Sequence, residues 1–67
     1  MFIELTTHKG EKITFNTANI VLIAPDKKGT VIVETNGIDW VVLESYESIK
    51  DVLGTRFYDE SLKMFKH

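Results

Sequence analysis

Residues 30–53 read TVIVETNGIDWVVLESYESIKDVL, and the fold follows from how this stretch changes its period along the way. Asn36-Gly37 separates two runs rich in β-branched and aromatic residues, and both residues tolerate the positive φ of a two-residue type I′ turn. Residues 30–35 and 38–43 are therefore expected to pair as antiparallel neighbours. After Leu43 the apolar period moves from two to about 3.6. There Ser45 can cap a helix over 45–53 that carries Tyr46, Ile49, Val52 and Leu53 on one side, and Gly54 falls where a left-handed residue would stop it. A sheet with a lid results.

Upstream, Phe2 to Thr7 alternates, with Ile3 and Leu5 on one face and Glu4 and Thr6 on the other. His8-Lys9-Gly10-Glu11 is a turn, and residues 12–16 repeat the alternation with Ile13 and Phe15 inward. Asn16 to Asn19 breaks the pattern and reads as a corner or one helical turn. Ile20 to Ala24 is apolar on both faces, as a covered central strand would be, and Pro25 is expected to end it. Pro25 to Gly29 suits a type I turn finishing with Gly29 in the left-handed region. The expected fold class is mainly β (α+β), a single domain over 1–67. It comprises a five-stranded antiparallel meander over 2–43, left open or curled into a small barrel, and the helix over 45–53. A second short helix over 59–66, capped by Asp59 with Tyr58, Leu62 and Phe65 along one stripe, is the last expected element.

Sixty-seven residues are near the lower limit for a domain that stands on its own core. Without cysteine there are no disulfides, thiolate metal sites or cysteine nucleophiles. The histidines, His8 and His67, have no second ligand at a usable spacing, so neither metal nor cofactor is expected. What is left to supplement the core is oligomerisation or unusually good packing. Eight Lys and Arg against ten Asp and Glu give a net charge of −2, which disfavours a nucleic-acid partner. The longest apolar run, Ile20 to Pro25, is too short to cross a bilayer, and the start of the chain lacks the pattern of a signal peptide. These features predict a soluble, cytoplasmic protein with no membrane insertion.

No catalytic constellation stands out. The acidic residues are spread along the elements, the glycines sit singly at turns, and Ser45 beside Glu44 reads as a helix cap and not as a nucleophile with its base. An enzyme is not expected. The apolar faces are more informative, because one lid helix covers only one side of a sheet that is greasy on both. The residues expected to form an interface are Val21, Ile23, Ile32, Val41 and Leu43, with another copy of the chain or another protein as the partner. Trp40, Tyr46, Phe57 and Tyr58 read first as core aromatics. An alternative from another class is a small β-barrel that binds single-stranded nucleic acid through Lys9, Lys12, Lys27 and Lys28, with Trp40 and Tyr46 stacking on bases.

The order of features also resembles the small flagellar FlbD-like proteins. The matching residues are Leu5 through Gly10, Phe15-Asn16, Ile20, Pro25-Asp26, Thr30 through Gly37, and Val41-Val42-Leu43-Glu44-Ser45, and the likeness covers residues 1–53. The ending Glu44-Ser45-Tyr46-Glu47 is also similar to those of short bacterial and phage β-sheet proteins. The resemblance implies a small cytoplasmic accessory protein that acts by contact, with no catalytic residues to carry over.

Overall fold

The computed structural model describes residues 1–54, so the helix expected over 59–66, with Phe57 and Tyr58, lies outside the described residues. Five antiparallel strands precede one helix: β1 (Phe2–Thr6), β2 (Lys12–Asn16), β3 (Ile20–Asp26), β4 (Gly29–Glu34), β5 (Asp39–Val42) and α1 (Tyr46–Leu53). The strands form two sheets, β1-β2 and β3-β4-β5, and the sheets are not closed into a barrel. A 3-10 turn at Thr17–Asn19 interrupts the expected meander between β2 and β3, with the Asn16 side chain accepting from Ala18 N–H at 3.0 Å. The sheets meet elsewhere. Thr7 bridges Val42, His8 N–H donates to the Val41 carbonyl at 3.0 Å, and Leu43 N–H donates to the Thr6 carbonyl at 2.8 Å.

The Asn36-Gly37 hairpin forms, but its turn is one residue longer than the predicted type I′. Only Gly37 has positive φ (+84°), its N–H reaches the Glu34 carbonyl at 2.9 Å, and Glu34 N–H donates to the Ile38 carbonyl at 3.0 Å. This is a turn with ordinary φ at Thr35 and Asn36, followed by a glycine bulge. Asn36 Oδ1 accepts from Ile38 N–H at 2.9 Å, so its side chain is used within the turn. The extra residue shifts the register by one. A two-residue turn would place Ile32 opposite Val41, whereas Ile32 stands opposite Trp40 and Val31 opposite Val41. The first hairpin repeats the device, with Gly10 at φ +89° donating to Thr7 and Thr7 donating to Glu11.

The third strand corrects the sequence reading twice. It lies at the edge of its sheet and not at the centre, and it continues through Pro25, which stands opposite Thr30. An edge strand tolerates proline because its outer side has no ladder to complete. A shift of register between Ile20 and Leu22 also breaks the alternation. Ile20 and Ile23 are both buried, and Val21 and Leu22 are both exposed. Lys27-Lys28 then closes a short turn, where Asp26 Oδ2 accepts from Lys28 N–H at 3.0 Å, and Gly29 pairs with Asp26 inside the ladder. Gly29 is needed for proximity more than for the expected left-handed turn. A β-carbon there would overlap the Val42 carbonyl oxygen and come within 2.8 Å of the Leu43 backbone.

The core gathers between the two sheets and the helix: Leu5, Phe15, Ile20, Ile23, Ile32, Val42, Ile49 and Leu53. Phe15 and Trp40 meet edge to face across the sheets, with ring centroids 5.6 Å apart. The helix starts as its sequence predicts, with Ser45 Oγ accepting from Ser48 N–H at 3.1 Å. It ends at Gly54, whose φ is +63° and whose N–H reaches the Lys50 carbonyl.

Gly29→Ala should destabilise the fold by about 3 kcal/mol, the upper part of the range for overpacking, because the obstructing atoms are backbone. Gly10→Ala has open space around the new methyl group and should cost only the φ penalty of about 1 kcal/mol. Urea midpoints of the two variants against the parent protein measure the difference.

Candidate functional site

The ladder shows where the five predicted interface residues go. Ile23 stands opposite Ile32, and both belong to the core. Val41 faces the other way beside Val31, half-buried; Leu43 is exposed just past β5, and Val21 is exposed at the irregular start of β3. The five are therefore not one surface. The register brings a different set together. Leu22 opposite Val33, Ala24 opposite Val31, and Val31 opposite Val41 place Leu22, Ala24, Val31, Val33 and Val41 on the outward face of the three-stranded sheet. Leu22 is 55% exposed and the other four are half-buried. The charges on that face are Asp39, opposite Val33 at one end, and Asp26, opposite Gly29 at the other, where Val41 lines a groove with His8, Lys27 and Lys28. Four of these five escaped the sequence reading. Asn36-Gly37 is compatible with two turn lengths, and the run IVLIA contains no polar residue to mark where its phase changes.

The lysine-bearing turns lie at one end of the molecule. A groove of about 320 Å³ is lined by His8, Asp26, Lys27, Lys28 and Val41, and Lys9 lines a neighbouring one with His8, Asp39 and Trp40. The two aromatics offered for base stacking are already engaged. Trp40 packs on Phe15 and donates its indole N–H to Glu34 Oε1 at 2.9 Å, while the Lys50 ammonium lies 5.1 Å from the centre of the Tyr46 ring.

Glu44 and Ser45 are turned to different partners. The Glu44 carboxylate receives Thr6 N–H at 2.9 and 3.1 Å and the Thr6 hydroxyl at 3.0 Å, and its main-chain carbonyl receives the hydroxyl of buried Thr30 at 2.8 Å. The Ser45 hydroxyl donates to Ser48 Oγ at 2.8 Å. Burial pushes the Glu44 carboxyl upward, but the hydrogen bonds from Thr6, together with its own N–H and the charge of Lys12, outweigh it and hold the group below its ordinary value. Among the described residues no three His, Asp or Glu side chains gather as metal ligands, and no helix is long and apolar enough to cross a membrane. Neither a family model, nor a curated protein, nor a solved structure matches this chain.

Because the Glu44 carboxyl titrates lower in the folded chain than in the unfolded one, its contribution is present at neutral pH and disappears as pH falls through the folded value. Glu44→Gln should cost roughly 1 kcal/mol near pH 7, a charged hydrogen bond discounted for partial exposure. The gap between the two proteins should close in acid. Urea midpoints of both, measured from pH 7 down through the carboxylate range, check this, and a gap that stays constant with pH would count against the clamp.

Proposed function

We propose that this protein is a non-enzymatic interaction module of the cytoplasm that pairs with a second copy of itself through the outward face of β3-β4-β5. One observation carries the reading: the ladder aligns Leu22, Ala24, Val31, Val33 and Val41 on a face that the helix does not cover. Apolar area left in water forgoes about 25 cal/mol per Å², which matters for a chain whose total stability is expected to be only several kcal/mol. A two-fold pair presents the same apolar strip from both sides, and two sheets stacked face to face bury it in the usual way for β structure. The two charged residues of the face, Asp39 and Asp26, lie at its opposite ends, where a paired copy can leave them in water. The resemblance to small flagellar proteins supports an accessory role by contact, and that pathway remains part of the proposal.

The nucleic-acid reading has the convergence of Lys9, Lys27 and Lys28 around His8 in its favour. Against it stand Asp26 and Asp39 in the same grooves and the engagement of Trp40 and Tyr46. No salt-sensitive retardation of single-stranded RNA or DNA is expected.

Light scattering coupled to size exclusion should show a dimer at micromolar concentration. Leu22→Lys combined with Val33→Lys should give a folded monomer, and the parent's urea midpoint should rise with protein concentration while the double variant's does not. A parent protein that is monomeric over the whole micromolar range would overturn the proposal.

A further inference from the structure

The two edges of β1 are held differently. Thr7 N–H donates to the Glu11 carbonyl at 2.7 Å and the Met1 carbonyl accepts from Thr17 N–H at 2.9 Å, so the odd-numbered residues turn their main-chain groups toward β2 and the segment after it. The period of a strand turns the even-numbered ones away. Thr6 shows this directly, with its N–H on the Glu44 carboxylate at 2.9 Å and its carbonyl taking Leu43 N–H at 2.8 Å. Two and four residues earlier, Glu4 and Phe2 present N–H and C=O on the same side. Those groups meet no partner among the described residues.

Beside that edge lies a groove of about 180 Å³, lined by Ile3, Glu4, Leu5, Glu44, Ile49 and Val52 together with Ser48. Val52 is 54% exposed, although it belongs to the apolar stripe of α1. Among the described residues the lining contains two carboxylates and no cation; Glu44 is held by Thr6 with the charge of Lys12 near it, and Glu4 is exposed.

We infer that this groove takes up an extended peptide segment of alternating apolar and basic residues, which adds as a strand to the free edge of β1. Phe2 and Glu4 supply the main-chain hydrogen bonds, as in other cases of strand addition. Every second side chain of the segment points to Ile3, Ile49 and Val52, and the intervening ones lie on the other face beside Glu4, where a lysine or arginine meets a carboxylate. Pairing stops at Thr6, because Glu44 and Leu43 already hold it, so the added strand runs in line with β5. This edge and the outward face of β3-β4-β5 are on different sheets, and the inference does not rest on self-association. The free edge of β3 is less suited to strand addition, since Pro25 has no N–H to offer there.

Amide spectra of the full chain titrated with the capped peptide Lys-Val-Lys-Val-Lys-Val provide the test. The Phe2 and Glu4 amides should shift and exchange more slowly with solvent as peptide is added. Glu4→Lys and Val52→Lys, both at exposed positions, should each weaken binding by about fivefold with the urea midpoint unchanged. N-methylation of one alternate set of peptide amides should abolish binding and methylation of the other set should leave it, because only one set faces β1. Equal effects of the two methylated peptides, or no perturbation at millimolar peptide, would overturn the inference. So would protection of the Glu4 amide without peptide: growing with protein concentration it would assign the edge to a second copy, and independent of concentration to the chain itself.

Discussion

The seam between the end of β1 and the end of β5 is the constraint on which the rest of the fold depends. A two-stranded hairpin is marginal in water, and β1-β2 has no ladder to β3 to extend it. Its attachment comes from the His8 and Leu43 amides, which cross between the strands, and from the Glu44 carboxylate on Thr6. Glu44 has a second hold, since its carbonyl receives the Thr30 hydroxyl from β4. The next residue, Ser45, caps the helix. One short segment thus ties the first sheet to the second and aims the lid, and Gly29 is small because it packs against the backbone of that same segment.

The seam also determines which surfaces are left over. Because β5 and Leu43 meet the chain at Thr6, Thr7 and His8, the first half of that edge has no neighbouring strand among the described residues and lies beside the side of α1 that carries Val52. By placing Ile32, Trp40 and Val42 toward Phe15 and the helix, the register sends Val31, Val33 and Val41 outward. The two surfaces differ in chemistry. One is an apolar face with Asp26 and Asp39 at its ends, which we propose pairs with a second copy, and the other is an edge beside Glu4 and Val52, for which we infer an extended basic segment. The adjacent polar side chains Glu44 and Ser45 turn to different partners, Thr6 and Ser48.

Much of the architecture was legible in local residue chemistry. Alternation marked the strands, Gly10 and Gly37 marked the hairpins, and Ser45 and Gly54 bounded the helix, each for a reason that acts over a few residues. The candidate face was less legible. Asn36-Gly37 supports a turn of two or three residues at similar local cost, and that single residue decides whether Ile32 stands beside Val41 or Trp40. In β3 the apolar run carried no mark of the irregularity after Ile20, so Val21 and Leu22 could not be told from Ile23 by pattern.

By itself, then, the sequence determined the strands, the hairpins, the capped helix and the excess of apolar β surface, because turn geometry, capping and side-chain periodicity are short-range. Only the tertiary structure decided that the meander breaks at Thr17–Asn19, that β1 meets β5, and which apolar residues face outward. Those outcomes depend on burying Phe15 and Trp40 against each other and on giving Thr6 and Thr30 their partners in Glu44, contacts between residues far apart in the chain.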